Sequence, residues 1–190
     1  MSLFHRILRD QRAAVALEMA FVTPPFLLIL LSILDMGLML ATQSLMDGAA
    51  QDAARLIRTG QVYAAGNSIS TFQNQLCSDM GPMMSTSTCQ SSLIFDVQTF
   101  GTYGAVAFPA CVRNANQAGG GTACNFTPGI GRQIVGVQIT YAYPFIIPWV
   151  GACLSGGSCW AGYGTTNGGS TGTGTATLVS TVVFQNEPFL

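Results

Sequence analysis

The apolar positions of the chain form one long run near the N-terminus and three short runs later. Residues 13–41 are almost continuously apolar, and the interruptions are Glu18, Thr23, Pro24, Pro25, Ser32 and Asp35. From residue 38 to residue 57, Leu, Ile and Ala recur at helical spacing with Gln, Asp and Arg between them. This pattern predicts one helix over residues 14–60. It should end near Gly60, a natural C-terminal cap that follows Arg55 and Arg58.

The first part of this helix is predicted to cross a membrane, because about 20 mainly apolar residues are enough to span a bilayer. Three arginines precede the apolar run, whereas Asp47 and Asp52 follow it. The positive-inside rule then places a basic leader, residues 1–13, in the cytoplasm and the rest outside. At 1.5 Å per residue the helix would be about 70 Å long, so its second part should form a stalk. A cleaved secretory signal is the rival interpretation, but its apolar core is normally about 7–15 residues.

Residues 61–190 are predicted to form a small extracytoplasmic head. A polar helical stretch over 64–76 precedes three runs rich in β-branched and aromatic residues, 93–100, 134–144 and 176–185. In the second run the bulky apolar residues occupy alternate positions, as expected for a strand with one buried face. The segments 109–131 and 151–174, which are rich in Gly, Ser and Thr, are predicted loops. The fold class is therefore α+β: a long N-terminal transmembrane and stalk helix followed by a disulfide-bonded head with an antiparallel sheet.

All six cysteines lie in the head, and their even number predicts disulfides. A zinc site is disfavoured, because there is no C-x-x-C pair and the only histidine, His5, is near the N-terminus. Six cysteines allow 15 connectivities. Sequential pairing is preferred because each bridge then closes a short loop. The preferred pairs are Cys77–Cys89, Cys111–Cys124 and Cys153–Cys159.

Composition restricts the function further. The chain has 190 residues, of which 49% are hydrophobic and only 8% charged, and its formal net charge is −1 without a single lysine. Such a chain has no basic surface for nucleic acid. It also lacks the nucleophile, phosphate-loop and metal motifs of enzymes. We therefore expect no catalytic residues, no cofactor, no metal and no small-molecule substrate.

The segment from Arg12 to Pro24, RAAVALEMAFVTP, resembles the N-terminal signature of type IV pilins, and specifically of the TadE-like pseudopilins of tight-adherence (Flp) pili. The alanine-rich segment 43–55 resembles that family's helix exit, and FQNEPF at 184–189 resembles its Arg-Asn-Glu-Pro ending. The resemblance implies cleavage by a prepilin peptidase between Ala13 and Ala14, which makes Glu18 the fifth mature residue. The chain departs from the family pattern at Ala13, where glycine is usual, and at Met19, where an aromatic residue is frequent.

Glu18 and the proline pair each allow two interpretations. A carboxylate in an apolar helix is costly unless it finds a partner, and the resemblance implies the α-ammonium of a neighbouring subunit. Alternatively, Glu18 extends to the cytoplasmic interface. Pro24 and Pro25 remove backbone donors, so a kink is expected between residues 20 and 25. The kink has a function in assembly or is simply tolerated, as prolines often are in membrane helices.

These observations lead to two functional hypotheses. The first is a minor pseudopilin-like structural subunit in the bacterial inner membrane, with a periplasmic head, which joins other minor pseudopilins and the assembly platform. The second is an uncleaved membrane-anchored binding module of the cell envelope. The first requires Glu18 and the Ala13/Ala14 bond, whereas the second is indifferent to both.

Overall fold

The computed structural model describes residues 11–108, 122–147 and 175–189. These residues form two compact units. One contains residues 11–38 and 145–147, and the other contains residues 39–108, 122–144 and 175–189.

The long helix α1 runs from Gln11 to Arg58. The predicted end is confirmed: Gly60 has a φ of 75°, a left-handed conformation that suits glycine. Pro24 and Pro25 lie inside α1, and the helix continues through both residues. The kink at this pair therefore stays a prediction.

A four-stranded sheet is the centre of the second unit. Its strands are β1 (Leu93–Phe100), β2 (Thr122–Phe126), β3 (Ile134–Pro144) and β4 (Thr175–Gln185), in the order β2-β1-β3-β4. The three predicted strands are confirmed, with β4 one residue longer. Strand β3 is antiparallel to both β1 and β4. Val135, Val137 and Ile139 are fully buried, so the predicted alternation along β3 is also confirmed.

The α+β class is confirmed, but the sheet is mixed rather than wholly antiparallel. Strand β2 lies within the segment 109–131, which was predicted to be a loop, and it pairs parallel to β1. Ile94 is opposite Thr122 and Phe95 is opposite Ala123, and the register then shifts before Val97. A strand of five residues beside a glycine-rich segment has little apolar periodicity of its own. Strand β2 is stabilised by pairing with the edge of β1, which lies more than 20 residues earlier in the sequence.

Three short helices connect α1 to the sheet: α2 (Gln61–Ala64), α3 (Ile69–Asp79) and α4 (Thr86–Ser92). The helix predicted over 64–76 is wrong at its start, because Gly66 and Asn67 adopt positive φ angles of 72° and 58°. Helix α4 was not predicted. It begins after Ser85, whose hydroxyl accepts a hydrogen bond from the Thr88 amide.

The Cys77–Cys89 disulfide joins α3 to α4, which confirms the first predicted pair. Both cysteines are buried, and the bridge closes a loop with a sequence separation of 12. A loop of this size contributes about 3 kcal/mol by restricting the unfolded chain. Cys124 is also disulfide-bonded. Cys111, Cys153 and Cys159 lie outside the described residues, so the other two pairs remain predictions.

The core of the second unit combines one face of α1 with the sheet and α3. Three rings contact one another at its centre: Phe72 lies 5.3 Å from Phe95 and 5.8 Å from Phe126 between ring centroids. The helical contribution is a stripe of buried residues spaced three and four apart, as expected for an amphipathic helix. These residues are Met46, Ala49, Ala50, Ala53, Ala54 and Ile57.

Candidate functional site

The first part of α1 exposes apolar side chains that a water-soluble protein would bury. Large hydrophobic residues from Val15 to Leu34 are exposed, among them Phe21 at 73% and Ile33 at 66%. Among the described residues, one helix is long and apolar enough to cross a membrane. None of the 18 residues in its most apolar stretch is buried. A continuous apolar surface of this kind indicates lipid or another protein as its surroundings.

Glu18 lies exposed on this apolar part of α1, and Ala13 and Ala14 lie in the same helix. The carboxylate is therefore available to a group from another molecule. Inside a bilayer an ionised carboxylate is costly unless it is paired or reaches the interface. This position is compatible with the predicted pairing role, which remains a prediction.

Asp35, the second carboxylate of the apolar run, differs from Glu18 because it is only 2% exposed. Its Oδ2 accepts hydrogen bonds from the backbone amides of Ile146 and Ile147, at 3.1 Å and 3.2 Å. Both amides follow the end of β3 at Pro144. The carboxylate thus holds a distant segment of chain against α1.

The C-terminal segment, residues 185–189, is attached to the end of α1. The amide of Glu187 donates to the carbonyl of Arg58 at 3.0 Å, which satisfies one of the carbonyls that a helix leaves open at its end. The two side chains also form an ion pair at 3.2 Å. Both are about half exposed, so the ion pair contributes about 0–1 kcal/mol and the backbone contact matters more.

Asn186 connects this segment to the turn before β3. It is 3% exposed, and its Nδ2 donates to the carbonyls of Pro128 and Ile130 at 3.0 Å and 3.1 Å. The backbone amide of Asn186 donates to the Gln133 carbonyl, and the backbone carbonyl of Asn186 accepts from the Arg132 amide. One asparagine therefore makes four hydrogen bonds to a turn that has positive φ angles at Gly129 and Arg132.

Phe189 completes the attachment by covering Gly60. A Cβ atom at Gly60 would lie 2.6 Å from the Phe189 ring, so any larger residue would displace it. The ring also packs against Tyr63, with centroids 5.7 Å apart. The ending FQNEPF thus has a structural role, since it fixes the end of α1 and the turn before β3 together.

Two observations on the described residues concern metal binding and acid–base chemistry. The described residues contain no group of three or more His, Cys, Asp and Glu side chains that could hold a metal ion. Burial raises the pKa of the Tyr141 hydroxyl, so this phenol is even less able than usual to act as a base at neutral pH.

These features define a class: a chain with a membrane-compatible N-terminal helix followed by a disulfide-bonded α+β head. Residues 13–55 match the family model described as TadE-like protein, the family that the sequence resembles. The match covers the apolar helix and its exit. No curated protein and no solved structure matches the chain.

Sequence reasoning missed the roles of two residues in these contacts. In the sequence, Asp35 is only an interruption of the apolar run, although a carboxylate within such a run is itself a signal that a partner exists. Asn186 was recognised only as part of a resemblance. Its contacts join positions more than 50 residues apart, which no local pattern reveals.

Proposed function

We propose that this protein is a minor pseudopilin-like structural subunit of Tad pilus biogenesis, without enzymatic activity. The proposal rests on one observation: the segment matched by the TadE-like family model, residues 13–55, includes the exposed apolar part of α1. In a filament of stacked membrane helices, that surface would be covered by neighbouring subunits.

Processing and assembly would depend on the start of α1. A prepilin peptidase would cut between Ala13 and Ala14 and create an α-ammonium four residues before Glu18. The exposed Glu18 carboxylate would pair with the α-ammonium of a neighbouring subunit as lipid is excluded. Buried opposite charges fix a register strongly, because a shifted neighbour would leave both charges unpaired.

The proposed location follows from the charge distribution. The arginine-rich leader remains on the cytoplasmic side of the inner membrane, and the disulfide-bonded head lies in the periplasm, where disulfides persist. The partners are the prepilin peptidase, other minor pseudopilins and the pilus assembly platform. A place in the extracellular pilus, and with it a role in adhesion, follows if the subunit leaves the membrane with the filament.

A second candidate is an uncleaved membrane-anchored binding module of the cell envelope. One observation favours it: Ala13 stands where the family usually has glycine before the cleaved bond. In this case α1 is only an anchor, and the head presents its surface to an envelope partner.

Deleting the gene in its native host separates the two candidates. The pseudopilin proposal expects surface pili, counted by electron microscopy, to be lost on deletion and restored by the full-length gene on a plasmid. The level of the major pilin in the membrane should stay unchanged, which serves as the control for an indirect effect on expression. Normal pilus numbers in the deletion strain would overturn the proposal and favour the binding module.

A further inference from the structure

The segment that Asp35 holds carries an unusually exposed apolar side chain. Ile146 is 74% exposed, more than any other large hydrophobic residue among those described. Its neighbour Phe145 is buried at 2%. The backbone amides of Ile146 and Ile147 donate to Asp35, so the Ile146 side chain is exposed although its backbone is held in place.

The position of Asp35 along α1 indicates what surrounds this segment. Exposed apolar side chains extend along α1 from Val15 to Leu40, and Asp35 lies within this stretch. From Val15 to Asp35 the helix covers about 20 residues, or about 30 Å, which equals the thickness of the hydrocarbon core. If Val15 lies at one border of the hydrocarbon core, then Asp35 and the segment bound to it lie near the opposite border, next to the headgroups.

We propose that residues 145–147 form a second membrane contact, in which Ile146 enters the interface of the phospholipid bilayer beside α1. This inference rests on the membrane anchoring in the proposed function, but not on any pilus role. Asp35 is the positioning residue: it satisfies two amides that would otherwise be costly to place near lipid, and it aims the segment at the bilayer surface. The contact would set the depth of the helix in the membrane.

Photo-crosslinking tests this contact. The full chain, with its disulfides intact, is placed in nanodiscs of phosphatidylethanolamine and phosphatidylglycerol, with p-benzoylphenylalanine replacing Ile146. Lipid adducts are detected by intact mass. The same replacement at Leu30, an exposed residue of the apolar run, is the positive control. Ile130, a 56% exposed isoleucine of the second unit, is the matched negative control.

We expect lipid adducts at positions 146 and 30 but not at 130. Adding Asp35→Ala should lower the yield at 146 several-fold and leave the yield at 30 unchanged, whereas Asp35→Asn, which keeps an acceptor oxygen, should lower it less. Adducts at 30 but none at 146, or an unchanged yield at 146 in Asp35→Ala, would overturn the inference. Protein adducts at 146 in place of lipid would overturn it in favour of a second copy. Absence of adducts at 30 as well would instead refute membrane anchoring.

Discussion

Replacing Glu18 by alanine is expected to abolish pilus assembly while the protein still inserts into the membrane. The variant loses the only carboxylate of the apolar run that is exposed, since Asp35 is buried against residues 146 and 147. The α-ammonium of the neighbouring subunit would then be buried without a partner, at a cost of about 3–5 kcal/mol. This corresponds to a loss of more than about a hundredfold in the assembly equilibrium. Pili are counted by electron microscopy in a deletion strain that carries the variant.

Two further variants make this result specific. Glu18→Gln has nearly the same volume but no charge, so it should fail like alanine if the ion pair matters. Asp52→Ala removes an exposed carboxylate from the same helix beyond the apolar run, and it should leave pilus numbers near those of the native protein. Normal assembly with Glu18→Ala or Glu18→Gln would contradict the pairing role. Loss of the variant from the membrane fraction would show a defect in insertion instead.

Replacing Asn186 by aspartate is expected to destabilise the head strongly. The substitution puts a carboxylate oxygen where Nδ2 now donates to the carbonyls of Pro128 and Ile130, so two attractive contacts become repulsive in a buried site. The loss should be about 3 kcal/mol or more, whereas Asn186→Ala, which removes both hydrogen bonds without adding charge, should cost about 2 kcal/mol. The midpoint of denaturant unfolding, measured on the oxidised full chain in detergent, checks this order.

The adjacent residue offers a matched control. Glu187→Ala removes a half-exposed ion pair but keeps the backbone amide that donates to Arg58, so its cost should be at most about 1 kcal/mol. If Glu187→Ala were as damaging as Asn186→Asp, the stability of this region would come from the surface charges, and the role assigned to Asn186 would be wrong.

The elements predicted correctly are those with a strong local period. Helix α1 and strands β1 and β3 each bury residues at regular spacing, so the apolar pattern alone reveals them. Helix α4 contains Ser, Thr, Gln and one cysteine, and it is held by a cap at Ser85 and by the Cys77–Cys89 bridge rather than by an apolar face. Strand β2 depends on the edge of β1. Neither element has a local signal strong enough to detect.

The candidate site divides in the same way. The roles of Glu18 and the Ala13/Ala14 bond stay predictions, and they rest on position within one short motif. The contacts of Asp35 and Asn186 could not be predicted, because they join chain segments 111 and more than 50 residues apart. A carboxylate within an apolar run and an asparagine in a short polar segment have no neighbours in sequence that identify their partners. Their roles become visible only when the fold brings the partner amides and carbonyls to them.

The start of the mature chain tests the central claim most directly. The protein is purified from membranes of its native host, and its intact mass and N-terminal sequence are determined. The pseudopilin account predicts a chain that begins at Ala14, with Glu18 as the fifth residue and the basic leader removed. A chain that still begins at Met1 or Ser2 would contradict processing by a prepilin peptidase, and it would leave an anchored envelope protein whose head carries the function.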